Sequence, residues 1–340
     1  MIGAPELVGL EVVHDFEQLC GLRDEWRNLV HTQNGTTPFQ TPEWLLTWWR
    51  HFGSGELRGF VFCQGDALVG VIPLFLHEWR GRRQLTLAGS GISDYLEPVM
   101  VPGYRDSVLA ETAGRLCADP DWDICEWQDL SAETPLSGLA SHRCLSVESS
   151  EDLLCSRIAL RGSWEDFCQG RPHGLRRNLR RYAEKARAIA EPEFAVTRGE
   201  DAALLEELIR LHRKRWRQQG ESGMIAANRS AAFLREVSAE FAGKDMLRFF
   251  TLRFQDRIAA IILAFAHQQT LFAYLSGFDP EYQEFGFGRL LLQHALRHAF
   301  EQGYRAWDFL RGDELYKFDW GAQSVRKTRL IIFRRNLATR

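Results

Sequence analysis

The 340-residue chain is 45% hydrophobic and 26% charged, with 11 Trp and 22 Phe, a make-up that excludes a disordered chain and suits one large or two ordinary packed domains. Its formal charge of −3 excludes polyanion binding by the molecule as a whole and leaves that role to local patches. The seven cysteines are scattered, with no C-x-x-C pair and no histidine at ligand spacing, so reduced thiols, no metal and a cytoplasmic setting are expected; no basic leader or membrane-length apolar run marks secretion or a span.

In chain order, residues 14–30 read as a first helix with Phe16, Leu19, Leu22, Trp26 and Leu29 on one side. Pro38-Phe39-Gln40-Thr41-Pro42 leads into a second, N-capped by Thr41 and burying Trp44, Leu45, Trp48 and Trp49 before Gly53. Leu57–Cys63 and Leu68–Leu76 follow as a hairpin about Gln64-Gly65-Asp66. That pattern returns. Residues 57–75 align without a gap on 247–265, with Leu57/Leu247, Arg58/Arg248, Phe60/Phe250, Asp66/Asp256, Ile72/Ile262 and Phe75/Phe265 in register. After a helical stretch in each half come Trp122-Asp123-Ile124 and Trp307-Asp308-Phe309. Two matches in the same order argue for a duplicated module. The expected fold is α/β (α+β), each module a mixed, mainly antiparallel sheet flanked by helices, divided as 1–150 and 151–340.

Between the repeated segments, 163–187 and 202–219 read as basic helices. Arg176/Arg180 and Arg177/Arg181 stand four apart, either as a solvated face or as a clamp for an anion such as a phosphate. Trp216, in the second helix, could stack on a base or sugar or simply be core.

A strand at Leu271–Phe278, the loop Gln283-Glu284-Phe285-Gly286-Phe287-Gly288 and a helix from about Gly288 to Gly303 then follow one another. No Ser, Thr, Asp or Asn stands where that helix starts, so its first N–H groups want another acceptor, and an anion suits them. Gly286 and Gly288 permit positive φ and close approach of a phosphate; a plain strand-to-helix turn is the other reading. In the first half the corresponding stretch, Tyr95–Tyr104, has two prolines and no glycine pair, so a donor site is expected in the second half alone. After a further strand come Arg311–Gly321 and a last strand, Arg329–Phe333.

The spacing Gln-x-x-Gly-x-Gly resembles the pyrophosphate signature of GNAT acyltransferases; no Walker lysine closes it and no Rossmann acid follows it. Phe39-Gln-Thr-Pro-Glu-Trp44, Ser93-Asp94-Tyr95, Arg177-Asn-Leu-Arg180, Gly277-Phe-Asp-Pro280 and Gly312-Asp-Glu-Leu-Tyr-Lys317 extend the likeness over most of the chain. Together they resemble the double-GNAT, FemAB-like acetyltransferase-6 family, which includes proteins associated with cellulose biosynthesis. The resemblance implies acyl transfer from acyl-CoA, acetyl-CoA first, to an amine of a small-molecule or saccharide-linked acceptor by direct attack. It implies donor contacts from Gln283, Gly286, Phe287, Gly288 and Arg289, and acceptor or anion contacts from Arg177, Arg180, Trp216 and Arg311. Chemistry would fall to Asp94, Tyr95, Tyr316 and Lys317. Asp94 could take the ammonium proton or merely close a turn beside a packed Tyr95, and Lys317 could neutralise an oxyanion or be a solvated surface group. Tyr316-Lys317-Phe318 also matches a run in Fem-type peptidyltransferases, which keeps an aminoacyl-tRNA donor open, as it does an acyl-carrier protein. A non-catalytic scaffold in polysaccharide assembly is the reading outside enzymes; DNA is not an expected partner.

Overall fold

The structure, a computed structural model, describes residues 8–218, 225 and 227–335. Gln219, the expected end of one helix, and most of the stretch inspected for a leader lie outside these residues. The chain forms two compact units, one running to Leu153 and resuming at Arg326, the other Leu154–Val325. The first half supplies β1 (Gly9–Val13), α1 (Phe16–Gly21), α2 (Arg23–Thr32), α3 (Pro42–Phe52), β2 (Glu56–Gln64), β3 (Ala67–Trp79), β4 (Arg82–Leu87), β5 (Val99–Met100), α4 (Arg105–Ala118), β6 (Ile124–Ser131) and β7 (Leu145–Glu151). From the second half come β8 (Cys155–Ala159), α5 (Trp164–Gln169), α6 (His173–Arg187), β9 (Glu193–Arg198), α7 (Ala202–Gln218), α8 (Asn228–Ala242), β10 (Leu247–Phe254), β11 (Arg257–His267), β12 (Thr270–Phe278), α9 (Phe287–Glu301), β13 (Ala306–Arg311), α10 (Leu315–Asp319), β14 (Gln323–Val325) and β15 (Lys327–Arg334).

Two expected helices are each two. The first breaks at Leu22, after Asp15 has capped α1 by accepting the Gln18 N–H. The second breaks at Pro172, where a proline lacks the N–H a helix interior needs and pushes the preceding Arg171 away from helical backbone. Phe39–Trp44 serves structure. Gln40 returns a bond to the Thr37 N–H and donates to the Glu97 carbonyl, and Trp44 Nε1 donates to Ser93 Oγ at 2.8 Å.

The sheets run β1-β2-β3-β4-β6-β15-β7, with β5 beside β3, and β14-β8-β13-β12-β11-β10-β9. Both are mixed: β4 and β6 are parallel in the first, β12 and β13 in the second, and the remaining pairs are antiparallel. The duplication holds to the residue in the hairpins: Leu57 pairs Phe75 as Leu247 pairs Phe265, and the ladder slips after Phe62 in one and after Leu252 in the other, the same place in the repeat. The Trp-Asp match does not hold. Thr86 faces Glu126 where Phe272 faces Asp308, so Glu126, and not Asp123, is the counterpart of Asp308.

The last strand also departs from the expected division. β15, expected in the second module, lies in the first sheet between β6 and β7, while β8, which follows β7 directly, lies in the second sheet between β13 and β14. The second half therefore completes the first half's sheet, while β8 stays in the sheet of its own half. The physical reason is at the start of β15: Lys327 is buried against the carboxylates of Asp129 on β6 and Asp94, which stands 4.0 Å away, and Leu330 and Ile332 are in the core. Arg329 adds bonds to Glu126 at 3.1 Å and Asp152 at 3.7 Å. Among the described residues no helix is long and apolar enough to cross a membrane.

Candidate active site in the second unit

The parallel ladder between β12 and β13 covers only Thr270–Phe272 against Ala306–Asp308, although β12 goes on to Phe278 and β13 to Arg311. Beyond Asp308 the chain turns aside: Leu310 takes φ 59, held by its N–H donating to the buried Asp308 carboxylate at 2.8 Å. The sheet thus opens at the end of β12 that leads to the glycine loop.

Residues 280–285 form a 3-10 turn capped by Asp279, whose carboxylate accepts the Glu281 N–H and an ion pair from Lys214 at 2.7 Å. Gly286 then adopts left-handed backbone, φ 58 and ψ 33, and α9 starts with no side-chain cap. Arg289 and Leu290 donate to the Gly286 carbonyl, and no described residue is recorded accepting from the N–H of Phe287 or Gly288. Two helix-end N–H groups are therefore left without an acceptor among the described residues, as at helix N-termini that bind anions. In the first unit the equivalent helix differs: a 3-10 turn at Pro102–Tyr104 runs into α4, Pro102 has no N–H, and Tyr104 and Arg105 donate to the carbonyls of Val101 and Pro102.

The two glycines serve different ends. A Cβ on Gly286 would meet ring carbons of Tyr182 at 2.6–2.8 Å, so this glycine is required by positive φ and by α6 packing on the loop. A Cβ on Gly288 would meet only Phe278, at 3.7 Å, and the residue is exposed. Phe287 offers its backbone alone, since its ring is core, stacked on Phe285 at 5.3 Å and beside Phe254. Gln283 is exposed and Arg289 half-buried at the helix start.

Lys317 is not the solvated surface group that its run allowed. Only 2% exposed, it donates to the carbonyls of Arg311 at 2.8 Å and Gly312 at 3.0 Å and pairs with Glu314 at 2.8 Å, so its three N–H bonds staple the turn before α10. Its neighbour Tyr316 is the open group, 37% exposed and edge-on to Phe309. Desolvation first, then Glu314, pushes its hydroxyl up, with Arg215 opposing; because over a third of the residue meets solvent, only the direction matters, and it makes Tyr316 a phenol that donates.

Of the two arginine rows, one lines a groove. Arg176 and Arg180 join Arg171, Arg187, Glu184, Gln293, Leu179 and Trp320 around a volume of about 390 Å³ between α6 and α9; Arg177 is exposed and not part of it. Arg176 Nε is buried without a partner among the described residues, whereas Arg171 is spent on the carbonyls of Trp320 and Phe167. Trp216 is half-buried beside Arg215, whose guanidinium covers the Phe278 ring at 4.6 Å. Arg311 is half-buried at the end of β13. Asp94 and Tyr95 belong to the first unit, where Asp94 faces Lys327 and Tyr95 lies 6.4 Å from the Phe39 ring, so the second unit alone holds the other predicted residues.

His212, in the second basic helix, reads from the sequence as an ordinary surface residue, and the structure differs. It is buried on α7 with Nδ1 3.2 Å from the Ser276 carbonyl on the opened part of β12, and its Nε2 has no partner among the described residues. Burial, ahead of the nearby arginines, lowers its pKa, so the imidazole is neutral at pH 7 and Nε2 carries the lone pair when Nδ1 donates.

Asp279 gives a test of the loop's support. Burial alone would raise its carboxyl, but Lys214 and the Glu281 N–H outweigh burial and hold it below the ordinary 3.8. A depressed folded pKa contributes stability above the unfolded value and loses it as pH falls through the folded one. Wild type should thus exceed Asp279→Asn in denaturant midpoint at pH 7, the gap closing below about pH 4; an unchanging gap from pH 7 to 3 would refute this.

Residues 173–318 match the family model described as "Acetyltransferase (GNAT) domain". No curated protein matches the chain. Among solved structures, the chain is similar to FemX (10% identity, 94% of this chain and 96% of that one, TM-score 0.67). It is similar also to a conserved protein of unknown function from Bacteroides thetaiotaomicron (11%, 96% and 100%, 0.60) and to L-PGS from Bacillus licheniformis (13%, 87% and 92%, 0.56). At such identities the likeness shows the fold, two GNAT-like modules in tandem. The family match covers the helices, the opened sheet and the uncapped α9 just described, so the part of this N-acyltransferase that resembles an acetyltransferase (GNAT) domain lies in its second unit.

Proposed function

We propose that the chain transfers an acyl group from acyl-CoA to an amine by direct attack. The observation that carries this is the pair of acceptor-less N–H groups of Phe287 and Gly288, at the end of a strand whose ladder has opened. Phosphates of the donor would take those N–H groups, with Arg289 adding charge, and the thioester would run along the opened part of β12. Tyr316, kept protonated, would donate to the departing thiolate, and Lys317 would hold the turn that presents it. The acceptor is a small-molecule or saccharide-linked amine. Calorimetric titration with acetyl-CoA, longer acyl-CoAs and free CoA is the test; no saturable heat from any of them, in folded protein, would sink the reading.

Tyr316→Phe should lower kcat by about 100-fold, the low end for a positioned general acid, and leave donor Kd unchanged. An unaltered kcat would remove Tyr316 from the chemistry.

The groove lined by Arg176 and Arg180 favours a second reading, in which the donor is an aminoacyl-tRNA of the kind Fem-type enzymes use and the groove follows its backbone. Saturable binding of aminoacyl-tRNA, steeply salt-dependent and weakened in Arg176→Gln/Arg180→Gln, with no response to any CoA ester, would select it.

A further inference from the structure

Cysteines and histidine that lie apart in the sequence meet in the first unit. Cys117 Sγ, a side-chain nitrogen of His142 and Cys144 Sγ all fall within 4.8 Å of one another, and Cys117 Sγ is 3.5 Å from His142 Nδ1. A tetrahedral zinc with Zn–S of about 2.3 Å and Zn–N of about 2.1 Å separates a sulfur from a nitrogen ligand by about 3.6 Å. The backbone fixes all three. Cys117 is in the last turn of α4, whose following Asp119 N–H donates to Arg115 at 3.0 Å. His142 caps the 3-10 turn Pro135–Ser141 with its N–H on Leu139, and the Leu145 N–H closes a turn onto the His142 carbonyl at 3.1 Å, so His142 and Cys144 sit on one tight loop. The Arg335 N–H at the end of β15 pins the Cys144 carbonyl at 2.7 Å. All three ligand residues are half-buried, close enough to the surface for an ion to enter.

We propose that Cys117, His142 and Cys144 form a binding site for a thiophilic divalent cation of the zinc class. The two thiols release their protons, two thiolates balance the charge of the ion, and neutral His142 gives its Nδ1 lone pair while Nε2 keeps the ring proton. Three protein ligands leave the fourth position to water or an outside ligand. The ion clasps the end of α4 to the turn that opens β7, an edge strand of the first sheet. This inference is independent of acyl transfer, which uses the other unit.

The test uses the full chain, reduced and stripped of metal, titrated with cobalt(II) and then zinc(II). One equivalent of cobalt should give an intense sulfur-to-metal charge-transfer band in the near ultraviolet, displaced by one equivalent of zinc. Cys117→Ser and Cys144→Ser should each lose the band, and His142→Asn should weaken binding at least tenfold, all three keeping the wild-type circular dichroism. Absence of the band in folded, reduced wild type would overturn the proposal. So would five titratable thiols instead of seven in protein purified without reductant, since a Cys117–Cys144 disulfide would then claim the pair.

Discussion

Gly288→Glu is expected to abolish useful donor binding while leaving the protein at least as stable as wild type. The two effects have opposite signs because they come from the same place. A carboxylate in the first turn of α9 completes the helix end and meets the dipole favourably, and replacing a helical glycine recovers up to about 1 kcal/mol. Room exists, since the new Cβ would stand 3.7 Å from Phe278 and the residue has no positive φ. The same carboxylate lies where donor phosphates would, and like charges in contact cost a few kcal/mol, or about 100-fold in Kd. Gly286→Ala separates folding from binding: positive φ and the Tyr182 ring should cost it about 1–3 kcal/mol of stability. Calorimetry with acetyl-CoA beside thermal melts reads both. A Gly288→Glu protein that binds as wild type would remove the α9 end from the site.

The largest loss of stability is expected from Lys327→Ala. Its side chain is fully buried between Asp129 and Asp94, and the Asp129 N–H in turn donates to the Asp152 carboxylate at 2.8 Å. Removing the cation strands carboxylates away from water, which for a buried pair costs about 3–5 kcal/mol. Lys327→Met with Asp129→Asn should recover much of this, because both charges then leave together. Urea unfolding followed by tryptophan fluorescence checks the order. A Lys327→Ala midpoint equal to wild type would mean that β15 is held by Leu330 and Ile332 alone.

What could be read in the sequence was what repeats or alternates locally. The hairpins were legible because a gapless match over 57–75 and 247–265 preserves register, and the slip in each ladder falls at the same step. The loop before α9 was legible because an absent cap and two glycines are local facts. The Trp-Asp match misled by three residues because those letters recur without the strand pairing that gives them equivalence. The placement of β15 was hidden, since Arg329–Phe333 has the same alternation whichever sheet receives it. The burial of Lys317 was hidden, because its acceptors are backbone carbonyls that no sequence pattern marks. Cys117 and His142 are joined only by the fold of α4 against the turn before β7, although His142-Arg143-Cys144 already offered two ligands at close spacing.

The place of β15 in the first sheet bears on how the chain is made. On the ribosome β1–β7 emerge long before Lys327–Arg334, and until they do the slot between β6 and β7 has no strand to fill it. N-terminal domains generally fold first during synthesis; this one must wait for nearly the whole chain, with strand edges that can pair wrongly in the interval. The first unit is thus closed only by residues 327–334, whereas the second, Leu154–Val325, is one continuous segment.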